Sequence, residues 1–123
     1  MGRRAEVSIV VGEADTARSL CSGQVDVLGT PRVIALCEQA SCLAIENELP
    51  EGQTTVGMKV RVDHMQPSPV GASVTAEATL SKVEGRRLTF NVSASDARGL
   101  VAVGRVVRVI VDRDRFMSKC GDT

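Results

Sequence analysis

The chain has 123 residues, which is the usual size of one domain with one core. Its 15 basic and 15 acidic residues cancel and form no large block of one sign, so we expect neither a nucleic acid nor an anionic membrane as a partner. Phe90 and Phe116 are the only members of the Phe, Tyr and Trp group, which nearly excludes a stacking platform for bases or sugars. The core must therefore be aliphatic.

Metal ligands and targeting signals are equally scarce. His64 is the only histidine, and the four cysteines contain no C-x-x-C pair, so we expect no metal site. Reduced thiols are the simplest interpretation of such cysteines. The first residues are basic, but the apolar run of a secretory signal or a membrane span does not follow them. We therefore expect a cytoplasmic protein that does not enter a membrane.

The first predicted element is a strand at about residues 5–11, followed by an irregular polar stretch. A helix comes next. Thr30 is predicted as its N-cap, because Pro31 then takes the first helical position, where the missing N–H is no loss. The helix is expected to run to about residue 46 and to stop before Pro50.

Four segments of strand character follow the helix: residues 54–64, 72–83, 87–95 and 100–112. Their apolar residues alternate with polar ones and short turns separate them, so we predict antiparallel strands that are covered on one side only. One apolar helix between a first strand and these strands gives an α+β layer in which the sheet wraps the helix, as a single domain over residues 1–123. The polar tail, residues 113–123, is predicted to be frayed.

Glu38 stands apart from the polar face of the predicted helix. Its neighbours one turn away are Ile34 and Cys42, and a carboxylate among apolar residues is costly unless it is paired or put to use. The alternative is a solvated surface group, as most mid-helix glutamates are. The polar stripe itself consists of Arg32, Gln39 and Glu46.

Three other residues are candidates for a site, and each has a plain alternative. His64 ends a strand, where many histidines are simply exposed. Gly57 lies inside the same strand, and glycine weakens a strand unless a bulge or a closely approaching ligand needs it. Thr30 is fully explained as an N-cap. These residues gain weight only as a set together with Glu38.

The order and spacing of the set resemble the fluoroacetyl-CoA thioesterase-like group of hotdog proteins over about residues 25–112. The motifs that carry the resemblance are Thr30-Pro31 followed by Glu38, Gly57 seven residues before His64, Pro67 and Gly71, the run Val83-Glu-Gly-Arg-Arg-Leu88, and a last strand with Gly104 and Arg108. Each motif is short, but their joint order is fairly specific. The resemblance implies a hotdog fold, in which an antiparallel sheet wraps around one long central helix.

The same resemblance implies an acyl-CoA thioesterase that works as a homodimer with active sites at the subunit interface. The one-sided sheet with long strands leaves further assembly, to a tetramer, open. It assigns catalysis to Thr30, Glu38 and His64, the thioester carbonyl to Gly57, and a supporting place near the site to Arg108. CoA then enters as part of the acyl-CoA substrate, and no cofactor is expected. We hypothesise that Glu38 is the base or nucleophile, with Thr30 orienting it or a water, that His64 aids proton transfer, and that the Gly57 N–H polarises the carbonyl.

Substrate and reaction class retain alternatives. Residues 21–29, just before Thr30, lack the phenylalanines that the fluoroacetate-specific enzyme has in its lid, so selectivity for fluoroacetyl-CoA is not expected. A hotdog hydratase or dehydratase of enoyl thioesters would also pair a carboxylate with a histidine, and Asp63 adjoins His64. A non-catalytic acyl-CoA binding module would keep the fold without the chemistry.

Overall fold

The computed structural model describes residues 3–121, and its elements follow the predicted order. They are β1 (Arg4–Val10), α1 (Thr30–Ala44), β2 (Gln53–His64), β3 (Ser73–Glu84), β4 (Arg87–Asp96), β5 (Gly99–Asp112) and α2 (Arg113–Ser118), with one turn of 3-10 helix at Glu13–Asp15. Within the described residues, neither α-helix has the length and apolar character needed to cross a membrane.

All five strands form one antiparallel sheet in the order β1-β3-β4-β5-β2. Tight hairpins join β3 to β4 and β4 to β5, so these three strands are neighbours in sequence as well as in space. β1 and β2 occupy the two edges, and α1 packs across the face of the sheet, mainly against β3 and β1. The predicted α+β layer with a sheet around one helix is confirmed.

The core between α1 and the sheet is aliphatic, as the composition requires. From α1 it takes Val33, Leu36, Cys37 and Ala40, which are completely buried. The sheet contributes the alternate residues of β3 and β4, and Phe90 is the largest of the completely buried side chains. Each buried Val or Leu contributes about 1.5–3 kcal/mol relative to an exposed one, so this seam fixes where the helix lies on the sheet.

The start of α1 differs from the prediction. Gly29, not Thr30, is the N-cap residue, with an extended backbone at φ −77° and ψ 145°, and Thr30 is the first residue of the helix. Glycine is needed there because a Cβ would lie 2.9 Å from Leu20 Cδ1 and 3.0 Å from the Ala17 backbone. At its other end the helix stops at Ala44, before the predicted residue 46. The Thr30 hydroxyl makes no capping bond, and it is available for another partner.

The C-terminal tail is also more ordered than predicted. α2 covers Arg113–Ser118, and the Asp112 side chain caps it by accepting a hydrogen bond of 3.0 Å from the Arg115 backbone N–H. A capped turn of helix replaces the frayed tail over these residues, because an aspartate at the N-cap satisfies a free N–H of the first turn. The last two positions of the predicted tail, residues 122–123, lie outside the described residues.

β2 is an open edge of the sheet over the described part of the chain. It pairs with β5 on one side, and residues 57–61 on it are all exposed. Its register passes from Gly57 opposite Arg108 to Lys59 opposite Val107, so Met58 forms a β-bulge. The bulge matters because residues seven apart in a regular strand point to opposite faces, whereas here Gly57 and His64 both face α1.

Candidate active site

Thr30 and His64 are brought together by the end of β2 and the start of α1. Thr30 Oγ1 lies 2.8 Å from His64 Nδ1, which is hydrogen-bond distance. The contact joins residues 34 positions apart in the chain. It exists because Gly29 caps the helix and leaves the Thr30 hydroxyl free.

The second ring nitrogen of His64 has no such partner. Nε2 is buried and makes no hydrogen bond to any residue between 3 and 121. Burial lowers the pKa of His64 below its ordinary value and outweighs the opposite effect of the nearby Gln66 backbone. His64 is therefore neutral at pH 7, when one ring nitrogen donates a hydrogen bond and the other accepts one.

Glu38 is held by a buried arginine from β5. Arg108 Nη1 donates to Glu38 Oε2 at 2.9 Å, and the Glu38 side chain is 32% exposed. The rest of the guanidinium is fixed to β2, where Nε donates to Thr55 Oγ1 at 2.9 Å and Nη2 donates to the Thr55 carbonyl at 3.0 Å. Two hydrogen bonds to Thr55 hold the planar Arg108 fork, and a third fixes one carboxylate oxygen of Glu38. Glu38 Oε1 makes no hydrogen bond within the described chain.

Gly57 lies directly against the Glu38 carboxylate. A Cβ at position 57 would stand 2.7 Å from Glu38 Oε2 and 3.5 Å from Arg108 Nη1. The glycine thus leaves space that the carboxylate occupies, which explains its place inside a strand. The carboxylate and the backbone of this exposed strand lie side by side.

The five candidate residues form two groups in one chain, one around Thr30 and His64 and one around Glu38, Gly57 and Arg108. Thr30 and Glu38 are eight residues apart on α1, which is about 12 Å along the helix axis. Within one chain, Thr30 contacts His64 and does not reach Glu38, so an orienting role of Thr30 towards Glu38 stays a prediction that needs a second chain. Each group therefore contains only part of the site that the family resemblance implies.

A cavity of about 300 Å³ opens beside the first group, lined by Thr30, His64, the loop after His64 and the segment between β1 and α1. Its walls include Ala17, Gly23 and Val25, and no phenylalanine, tyrosine or tryptophan. The segment is folded on itself, because Arg18 donates to Asp26 at 2.9 Å and to the Gln24 carbonyl at 2.9 Å. Because His64 and Thr30 line this cavity, it could hold part of a small molecule beside them.

Other chemistries find less support in the described residues. No three of their His, Cys, Asp and Glu side chains lie close enough to hold a metal ion. Burial, aided by the Glu38 charge, raises the pKa of the Cys37 thiol to about 11, so this neighbour of Glu38 stays protonated and is a poor nucleophile. Sequence reasoning missed Thr55, the residue that fixes Arg108. One indication of this role was present in the sequence, because Thr55 lies two positions before Gly57 and therefore on the same, helix-facing side of the strand.

Known proteins are similar to this chain along most of its length. The family model described as FlK, fluoroacetyl-CoA-specific thioesterase, matches residues 11–114. The fluoroacetyl-CoA thioesterase of Streptantibioticus cattleyicolor is 33% identical over 94 residues, which are 76% of this chain and 68% of that protein.

Solved structures agree in fold. A structure of the fluoroacetyl-CoA thioesterase FlK superposes with a TM-score of 0.92 at 30% identity, covering 98% of this chain and 93% of that one. A Thermus thermophilus hypothetical protein, a thioesterase superfamily member, gives a TM-score of 0.90 at 27% identity over 97% of this chain and 88% of its own. A variant of FlK in complex with fluoroacetate and CoA gives 0.87 at 30% identity over 94% and 98%.

The sheet around one helix, together with these neighbours, defines a hotdog-fold thioesterase. The extent of the family match then settles the group: the chain belongs to the fluoroacetyl-CoA-specific thioesterase family and is an acyl-CoA thioesterase. The predicted hotdog fold, enzyme class and family resemblance are confirmed.

Proposed function

We propose that this acyl-CoA thioesterase works as a homodimer, in which Thr30 and His64 of one subunit and Glu38, Gly57 and Arg108 of the other form each active site. The observation that carries this proposal is the separation of about 12 Å between the two groups along α1. A single chain holds both halves of a thioesterase site but cannot close them on one thioester. Two chains related by a twofold axis would form two complete sites.

The open edge of β2 supports this arrangement. In one chain Met58 is 47% exposed and Val60 is 38% exposed, and an uncovered strand edge with apolar side chains favours pairing with another strand. Antiparallel pairing of two β2 strands about an axis midway between Gly57 and His64 would set Gly57 of one subunit opposite His64 of the other. Because the Met58 bulge turns both residues to the same face, both would meet on the helix side of the joined sheet.

In the proposed reaction, Glu38 acts at the carbonyl carbon of the thioester. As a general base, its free Oε1 takes a proton from a water, whose oxygen adds to the carbonyl. As a nucleophile, the same oxygen adds directly, and water then hydrolyses the resulting anhydride. Arg108 keeps the carboxylate in place for either route, and we assign the Gly57 N–H as the donor to the developing oxyanion.

His64 handles the leaving thiolate in this proposal. If the Thr30 hydroxyl donates to Nδ1, the neutral imidazole carries its proton on Nε2, the nitrogen that has no partner within residues 3–121. Nε2–H can then hydrogen-bond to the CoA sulfur and assist its protonation as the C–S bond breaks. The proton comes from the protonated Glu38 in the base route and from water in the nucleophile route, and the imidazole stays neutral. The products are a carboxylic acid and free CoA. The residues of the chain supply every group in this sequence, so we propose no cofactor.

The substrate is proposed to be an acyl-CoA whose acyl group enters the cavity beside His64. A relative of this chain, a variant of FlK, has been crystallised with fluoroacetate and CoA, which supports CoA as the thiol carrier. Without aromatic residues in positions 21–29, the cavity lacks a bulky cover, so we propose acyl groups larger than fluoroacetyl. The cytoplasm stays our proposed location, supported by four free cysteines.

Initial rates over short, medium, branched and aryl acyl-CoAs, including fluoroacetyl-CoA, test the proposal. Glu38→Gln keeps the shape of the side chain but removes its basicity, and His64→Ala removes the proton donor. We expect each variant to lose about 10²–10⁴-fold in kcat/KM, the usual contribution of an acid–base group. Either variant hydrolysing the best substrate as fast as the wild type would remove that residue from the mechanism.

A further inference from the structure

A buried aspartate outside the catalytic set connects the two segments that carry Thr30 and His64. Asp96 ends β4 at the turn into β5, and its side chain is only 3% exposed. One oxygen, Oδ1, accepts the Arg98 backbone N–H at 2.9 Å, and the other, Oδ2, accepts the Ser68 hydroxyl at 2.9 Å. These bonds hold the pKa of Asp96 below its ordinary value, and the bond from the Arg98 N–H has the largest effect. The carboxylate is therefore ionised at neutral pH and acts only as an acceptor.

Ser68 is the residue through which Asp96 reaches the site. It is completely buried, and its carbonyl accepts the Leu28 N–H at 2.8 Å, while the next residue, Pro69, forms a β-bridge with Val27. Ser68 therefore binds Asp96 through its side chain and the segment before α1 through its backbone. Because Ser68 is buried and held by both its side chain and its backbone, its position is fixed.

The loop that contains Ser68 follows directly on His64, the last residue of β2, which is four residues before Ser68. Leu28 lies two residues before Thr30. From the contacts of Ser68 we infer that Asp96 and Ser68 are positioning residues, which lock the loop after β2 onto the start of α1 and so hold the Thr30 hydroxyl on His64. Their importance for turnover rests on the proposed function of the Thr30–His64 pair.

Arg98 closes the network from the outside. Its guanidinium donates to the Pro67 carbonyl and lies 3.5 Å from Asp96 Oδ2, although more than half of its side chain is exposed. Two neighbouring residues of the loop are thus tied to the β4–β5 turn, Pro67 through Arg98 and Ser68 through Asp96. A catalytic pair placed on a loop needs such support, because a shift of about 1 Å costs up to about 100-fold in rate.

Two substitutions test the inference against a matched control. Ser68→Ala removes the hydroxyl that binds Asp96, and Asp96→Asn removes the carboxylate charge and leaves one acceptor oxygen for the two donors, Ser68 and the Arg98 N–H. Ser41→Ala is the control, because Ser41 is also completely buried and donates one hydrogen bond, to the Cys37 carbonyl at 2.9 Å, near the C-terminal end of α1. The readouts are kcat and KM for the best acyl-CoA and the NMR titration of His64, whose ring signals are unambiguous because the chain has one histidine.

We expect Ser68→Ala and Asp96→Asn to lower kcat about tenfold with KM changed less than about twofold. In both, the pKa of His64 should rise towards its ordinary value, because the ring loses part of its burial. The double variant should be little worse than the poorer single one, since both substitutions act on the same bond between Ser68 and Asp96. Ser41→Ala should leave kcat and the titration unchanged.

A Ser68→Ala protein with the kcat and the His64 titration of Ser41→Ala would overturn the inference. If Ser68→Ala does not fold, Asp96→Asn decides by the same two readouts. The titration also separates this inference from the proposed function. If His64→Ala were fully active, the proposed function would fail, while the His64 titration of Ser68→Ala would still show whether Ser68 positions the ring.

Discussion

Gly57→Ala puts the smallest possible change next to the Glu38 carboxylate. The new Cβ would stand 2.7 Å from Glu38 Oε2, whereas ordinary contact begins near 3.4 Å, so the oxygen must move by about 0.7 Å. That shift strains or breaks the 2.9 Å hydrogen bond to Arg108. Displacements of this size cost about 10- to 100-fold in rate, so we expect kcat/KM to fall by that factor.

Stability should hardly change in the same variant. Position 57 has the extended backbone of a strand, which alanine adopts freely. Alanine inside a strand is more stable than glycine by about 0.5–1 kcal/mol, and this gain offsets part of the cost of the crowding. The assay is release of free CoA at several substrate concentrations, together with a thermal melt. Gly12→Ala is the matched control, because its Cβ would also face a carboxylate oxygen, Asp15 Oδ2, but at a comfortable 3.6 Å. A folded Gly57→Ala enzyme with the wild-type kcat/KM would refute the role given to the position of Glu38.

Three further changes have distinct signatures. Arg108→Lys loses the guanidinium fork that donates two hydrogen bonds to Thr55, so we expect at least about tenfold lower kcat/KM and about 1–3 kcal/mol less stability in urea unfolding. Unchanged values would contradict the role of Arg108 in fixing Glu38. Because the pKa of His64 is lowered in the folded chain, stability should fall as pH drops below about 6.5, the unfolded pKa, and level off below the folded pKa, and this dependence should be absent in His64→Ala. Gly104→Ala would set a Cβ against the Arg61 backbone carbonyl, so it should lose about 3 kcal/mol or more by urea unfolding, and a wild-type midpoint would contradict the close approach of β2 and β5.

Local pattern was enough to predict most of the fold. The alternation of apolar residues along β3 and β4 predicted which face is buried, and Val74, Ala76 and Phe90 are completely buried there. Short hairpins made the antiparallel order of β3, β4 and β5 readable from the chain. The position of Glu38 off the polar stripe of α1 indicated a carboxylate that is paired or put to use, and in the structure Arg108 pairs with it.

The parts that sequence reasoning missed depend on contacts between distant residues. Arg108 is 70 positions from Glu38, and no local pattern names it as the partner. Thr30 and Gly29 can both be helix N-caps, and the choice of Gly29 follows from crowding by the Ala17 backbone, which only the folded chain shows. The division of the site into two groups likewise follows from the length of α1 between them. Family resemblance named the residues of the set but not which of them meet within one chain.

Subunit complementation tests the composite site most directly. Glu38→Gln and His64→Ala chains, each inactive alone, are unfolded together, refolded and compared with wild type at equal chain concentration. In a mixed dimer, one site would combine Glu38 of the second variant with His64 of the first, so random mixing should restore about a quarter of the wild-type activity. Activity that stays at the level of the separate variants, in a sample where differently tagged chains are shown to pair, would contradict a site shared between subunits.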